Sequence, residues 1–152
     1  MVLSCKVGVG ILIINDRGKI LIRERNDPKD PDNLGRKELL GGYIKPGETP
    51  AQAITRILIE EAGDDLKVEI IAPFTTLSSE PVSDPSIWSI GIPHVCKLIS
   101  GKPKINPDYN RVTNFWWISL EQALDDPNLT PGTRTQLEDF LEWLSIVIDT
   151  IE

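Results

Sequence analysis

A chain of 152 residues fits one domain, taken as 1–152, large enough to bury much of its unfolded surface without disulfide or metal staples. Hydrophobic residues at 40% and charged residues at 26% are ordinary globular proportions, which exclude a disordered, collagen-like or membrane-spanning type. Sixteen Lys and Arg against 23 Asp and Glu leave a net charge of -7. No nucleic-acid polymer or anionic membrane is therefore expected as partner, and a polyanionic substrate would need a bound cation or a few placed arginines.

In chain order, Met1 to Val9 carries only Lys6, and its apolar run is soon broken by Asn15, Asp16 and Arg17. Neither a signal peptide nor a spanning helix fits, so a cytoplasmic protein is expected. Val7 to Asn15 is rich in Val and Ile. Asp16-Arg17-Gly18 then supplies turn chemistry before Lys19 to Arg25 resumes the strand pattern, which predicts a hairpin. On its second arm Ile20, Ile22 and Glu24 face one way and Leu21, Arg23 and Arg25 the other. Asn26 to Gly35, with Pro28 and Pro31, reads as an exposed loop on the substrate side.

Glu38 to Leu40 reads as a short strand running into Gly41-Gly42, with a second turn signal at Pro46-Gly47. A helix over 50–62 follows: Thr49 is its N-cap, Pro50 its first residue, Gln52 completes a capping box and Gly63 stops it. Ala51, Ile54, Leu58 and Ala62 form its expected buried stripe. Further strands are predicted over Lys67 to Thr76, Ile87 to Ile99 and Thr113 to Ile118, then a short helix from Ser119 to Asp126. A last amphipathic helix is predicted from Pro131 to Ile148, with Leu137, Phe140, Leu141, Leu144 and Ile148 as its apolar stripe. This order points to mixed α/β layers around one core.

The polar side of helix 50–62 gathers Arg56, Glu60 and Glu61, with Glu48 just before its first turn. Adjacent carboxylates repel unless a cation lies between them, and a hard dication with oxygen ligands is the usual remedy. Glu48 and Glu60 are both within reach of Arg56. Gly41, Gly42 and Gly47 allow the preceding loop to bring backbone close to a metal or a phosphate. The same charges also suit a merely solvated helix face.

Gly42, five residues, Glu48, seven residues, Arg56, then Leu58, Glu60, Glu61 and Gly63 resembles the Nudix box, Gly-x5-Glu-x7-Arg-Glu-U-x-Glu-Glu-x-Gly-U with U aliphatic. The opening hairpin and the aromatic pair Trp116-Trp117 extend the resemblance along nearly the whole chain. It implies an α/β (α+β) Nudix fold, a mixed β-sheet sandwiched between helices. It further implies that Glu60 and Glu61, with the Gly41 carbonyl, hold Mg²⁺ or Mn²⁺, while Glu48 and Arg56 brace the loop against the helix. The reaction implied is attack of water on a nucleoside diphosphate linked to another group, as in a nucleoside triphosphate, modified nucleotide or nucleotide sugar. The resemblance also admits a homodimer.

Two positions depart from the pattern, Asp64 and Ile57. Asp64 affects only the helix exit. Ile57 stands where the family has a glutamate that serves as metal ligand or general base, and at roughly 100° per residue it falls between Glu60 and Glu61 on the helix surface. Isoleucine does neither job. A replacement base is therefore sought in the loops, first at Asp108 and next at Glu80 and Asp84. The alternatives are a slow site with fewer metals, or a domain that binds a nucleotide-like ligand, or regulates, without hydrolysing it.

Around this locus, Arg23, Arg25 and Gly42 are the expected substrate contacts, the arginines through their planar forks. Tyr43, Phe74 and Trp88 are stacking candidates for a base. One of Trp116 and Trp117 is expected to pack and the other to be available. His94 is expected to be structural, and Cys5 and Cys96 to be reduced, buried thiols.

Overall fold

Alternation along the opening strand decides the two sides of the molecule. In the structure, a computed structural model that describes residues 4–79, 86–109 and 112–151, β1 (Ser4–Ile14) sends Val9, Ile11 and Ile13 into one core and Leu12 into another. The chain continues through β2 (Ile20–Arg25), β3 (Lys37–Glu38), β4 (Leu40–Tyr43), α1 (Pro50–Ala62), β5 (Lys67–Pro73), β6 (Leu77–Ser79), β7 (Ile87–Gly91), β8 (His94–Ser100), β9 (Val112–Ile118), α2 (Leu120–Asp125) and α3 (Pro131–Ile151).

The strands form one mixed sheet with β1 at its centre. Its early residues pair parallel with β7 and its late ones parallel with β8; β4 pairs antiparallel along Gly8 to Ile11, and β2 joins at Ile14. Beyond β2 lie β3 and β9, both antiparallel, and β5 pairs with β8. Ile54, Leu58 and Ala62 of α1 pack on one face against Ile11, Ile13, Leu21 and Leu40. Leu137 and Phe140 of α3 and Ala123 of α2 pack on the other against Leu12, Ile20 and Ile22. The expected sandwich of a mixed sheet between helices is the observed one.

The elements match the sequence reading where local chemistry is strong. The α1 capping box forms in both directions, Gln52 N–H to Thr49 Oγ1 at 3.2 Å and Thr49 N–H to Gln52 Oε1 at 2.9 Å. The strand expected over Ile87 to Ile99 is instead two, interrupted at Ile92-Pro93, because Pro93 has no N–H for the ladder.

The expected buried stripes are also corrected. On α1 the buried residues are Ala53, Ile54, Ile57, Leu58, Glu61 and Ala62, whereas Ala51 is exposed. On α3 Leu141 and Ile148 are exposed, while Trp143 stacks on Phe140 and lies tilted against Phe74. Phe74 is thus a core residue, 5.3 Å from Phe140 between ring centroids, and is withdrawn from the stacking candidates. Both tryptophans pack, Trp117 on the α1 side and Trp116 on the α3 side. His94 is buried, its Nδ1 2.8 Å from the Ile92 carbonyl oxygen. Both cysteines are free thiols; Cys96 is buried, which pushes its thiol up to about 12, but Cys5 is exposed at the start of β1, contrary to expectation. Among the described residues no helix is long and apolar enough to cross a membrane.

Candidate active site

The strand that enters the helix loop must run close to the sheet. A side chain at Gly41 would meet the Val9 carbonyl oxygen at 2.5 Å, and one at Gly42 would meet Ile57 Cδ1 at 3.2 Å. These glycines let β4 lie between β1 and the first turns of α1, and both line a cleft of about 610 Å³.

Arg56 ties that loop to the helix. Its Nε donates to Glu48 Oε2 at 2.7 Å, its Nη2 donates to Glu48 Oε1 at 2.9 Å and to the Tyr43 carbonyl at 2.8 Å, and its Nη1 reaches both Glu60 oxygens at 3.3 Å. The planar fork fixes Glu48 in a bidentate pair and leaves Glu60 the looser partner. Arg56 and the Lys45 N–H hold the Glu48 carboxyl down at about 2, against an ordinary value of 4.5. Because the folded chain keeps Glu48 ionised where the unfolded chain protonates, its stabilisation is present above about 4.5 and is lost as pH falls toward about 2. A Glu48→Gln variant is therefore expected to melt lower than the parent at pH 6 and to converge on it as pH approaches 2, which thermal melts across that range will check.

Arg23 and Arg25 do share the face predicted for them, and both line the cleft. Arg23 Nη2 lies 2.9 Å from Glu38 Oε1 and its Nη1 3.0 Å from Glu61 Oε1; Arg25 Nη1 lies 3.0 Å from the same Glu38 oxygen, and its Nη2 3.1 Å from Asp30 Oδ2. The sequence reading did not single out Glu38. Its signal is the antiparallel register, which sets it directly opposite Arg23.

Glu61 is not on the polar side of the helix. Its side chain is 1% exposed, with Arg23 on one oxygen and the Gly41 N–H 3.4 Å from the other. Burial pushes its carboxyl up to about 7, against the pull of Arg23 and the Gly41 N–H. Glu60 lies on the cleft wall, whereas Glu61 lies behind it. The two box carboxylates thus face different partners, because positions 60 and 61 are one residue apart on a helix whose buried face reaches as far as 61.

The expected replacement base is displaced too. The loop before β9 docks on the end of α1, where Lys104 N–H meets the Ala62 carbonyl at 2.8 Å and Asn106 Nδ2 meets that of Ile59 at 3.4 Å. A turn on Asn106 leaves Asp108 exposed and off the cleft wall. The same turn returns Tyr109 to the cleft with its hydroxyl 3.4 Å from Glu61 Oε1. Glu80 and Asp84 lie outside the described residues.

At the far end the cleft meets the start of α3. The buried Thr133 Oγ1 there accepts from Leu39 N–H at 3.2 Å, and Gln136 lies over Gly10 with its Oε1 buried and unpaired among the described residues. Tyr43 is 51% exposed on the cleft rim beside Ser89; Trp88 does not line the cleft.

Among the described residues no three acidic, histidine or cysteine side chains converge on one point. The donor chemistry still fits a hard dication of the kind that takes one or two carboxylates and completes its shell with substrate phosphate and water. Glu60 on the wall, Glu61 behind it and the Gly41 carbonyl are all oxygen donors, and among the described residues the cleft lining holds no sulfur or imidazole.

Residues 6–144 match the NUDIX domain, and the chain belongs to the Nudix family of pyrophosphohydrolases. It is 28% identical over 137 residues to an ADP-ribose pyrophosphatase of Methanocaldococcus jannaschii, covering 90% of this chain and 73% of that protein. To a CTP pyrophosphohydrolase of Escherichia coli it is 29% identical over 136 residues, covering 85% and 87%. The crystal structure of a MutT protein from Methanosarcina mazei superposes with a TM-score of 0.73 at 21% identity, over 92% of this chain and 93% of that one.

Proposed function

We propose that the chain is a Mg²⁺- or Mn²⁺-dependent hydrolase that cleaves the diphosphate of a nucleoside diphosphate linked to another moiety. One observation carries this reading: Arg23, Arg25 and Glu60 line a single cleft against the Gly41-Gly42 backbone. A diphosphate placed there lies beside two guanidinium groups, which suit phosphate oxygens in shape and charge, and beside a carboxylate.

Glu60, Glu61 and the Gly41 carbonyl would hold the dication, which when bound neutralises the diphosphate and lowers the pKa of water. The chain's own groups do the remainder. Arg25, anchored on Glu38 and Asp30 and lining the cleft, supplies positive charge beside one phosphate. Arg56 keeps Glu60 aimed at the cleft through a single arm, so Glu60 retains lone pairs to accept a proton from the attacking water. The nucleoside or the second moiety extends toward Tyr43 on one side and toward Thr133 and Gln136 on the other. The names of the relatives support ADP-ribose-like and nucleoside triphosphate substrates as the first panel to try.

Ile57 favours a second reading, in which the cleft binds such a ligand with little turnover. Ion-exchange chromatography of products from a nucleotide panel with Mg²⁺ or Mn²⁺ separates the two. Product above a Glu60→Gln/Glu61→Gln double variant supports the hydrolase; ligand binding without such product supports the binding domain.

A further inference from the structure

Two buried or half-buried acids, Glu38 and Glu61, share one guanidinium. Arg23 is 7% exposed, spans them at 2.9 and 3.0 Å, and its Nε makes no hydrogen bond among the described residues. Arg23 and Tyr109, the groups that touch Glu61 Oε1, line the cleft, whereas Glu61 does not. A cation approaching Glu61 Oε1 from the cleft therefore meets Arg23 or Tyr109 first, and of these Arg23 carries the competing charge.

We propose that Arg23 is a displaceable internal counter-ion: it holds Glu61 in the free protein, yields it to the incoming dication, and turns the released arm to the diphosphate. This inference rests on the reading of Glu60 and Glu61 as metal-holding residues. Partner arithmetic makes the exchange feasible. Glu38 keeps Arg25 at 3.0 Å whether or not Arg23 moves, and Glu61 exchanges a guanidinium for a dication. No acid is left buried without a cation at either end of the movement, which is the costly state.

Ile57 explains why an arginine suffices. A further carboxylate at that position would add negative charge beside Glu61 that Arg23, already shared with Glu38, does not balance. The price of that arrangement is competition, since metal binding must first dislodge Arg23. Diphosphate, by accepting the dislodged arm, lowers that cost, so metal and ligand bind with positive and reciprocal coupling.

The test is Mn²⁺ titration by isothermal calorimetry, without ligand and with α,β-methylene-ADP as a diphosphate that resists cleavage. Arg23→Gln is expected to bind Mn²⁺ about tenfold more tightly than the parent in the absence of ligand, and to lose most of the gain in Mn²⁺ affinity that the diphosphate gives the parent. Arg23→Lys keeps the charge but not the fork, and serves if the glutamine variant does not fold; its coupling is expected to fall as well. Unchanged Mn²⁺ affinity and unchanged coupling in these variants overturn the exchange while leaving the metal site standing, provided Glu61→Gln weakens Mn²⁺ binding. If Glu61→Gln binds Mn²⁺ like the parent, the underlying assignment of Glu61 falls and the exchange falls with it.

Discussion

Glu60→Gln should lower kcat by about 10²–10⁴-fold, the usual cost of removing a group that moves a proton in the transition state, and should leave the fold almost untouched. The structural half of this expectation follows from the division of labour around Arg56. Glu48 takes its Nε and Nη2 at 2.7 and 2.9 Å, and the Tyr43 carbonyl takes Nη2 as well, so the loop remains clamped when Glu60 loses its charge. Glu60 contributes only two 3.3 Å contacts from a partly exposed position, and such surface substitutions shift stability by within about 0.5 kcal/mol. Glu61→Gln differs, because it alters a side chain 1% exposed that Arg23 holds. Its loss of activity should come with a changed melting temperature. Steady-state kinetics on the best substrate of the panel, beside thermal melts of both variants, will separate them. A Glu60→Gln enzyme within twofold of the parent kcat would remove Glu60 from the chemistry.

The contrast between these two glutamates also marks where sequence reasoning succeeds and where it stops. Positions governed by local chemistry are readable: the Thr49/Gln52 capping box, the turn at Asp16 to Gly18 and the sharing of a face by Arg23 and Arg25 all follow from spacing alone. Glu48 reaching back to Arg56 follows as well, since the motif spacing brings the loop acid over the second turn of the helix. Partners chosen by tertiary packing are not readable. Whether Glu61 faces water or the sheet depends on how far α1 rolls onto β1 and β4, and that roll is set by Ile54, Ile57 and Leu58 filling one core. Glu38 meets Arg23 only because β2 and β3 pair in one register, and Tyr109 rather than Asp108 arrives because Asn106 anchors its loop on the end of α1. In each case the outcome depends on packing against another element of the fold.

Position 57 brings both kinds of information together, and restoring the family residue there should change the protein in two opposite ways. Ile57 is 2% exposed, belongs to the core beneath α1, and lies against Gly42 at the cleft edge. Ile57→Glu therefore removes a buried aliphatic side chain worth about 1.5–3 kcal/mol and inserts a carboxylate close to Glu61, which a single Arg23 cannot balance. Without metal the variant should melt well below the parent. With a dication the added carboxylate should raise metal affinity above that of the parent. Ligand linkage then returns about 2.7 kcal/mol once the ion is at a hundred times its Kd, so the rise in melting temperature on adding Mn²⁺ should be clearly larger in the variant. Turnover should rise in parallel if Ile57 is what slows the parent. A variant whose metal-free stability falls while its Mn²⁺ response stays that of the parent would show position 57 to be core alone. Its isoleucine would then be a packing choice, and the chemistry of the cleft would rest on Glu60 and the two strand arginines.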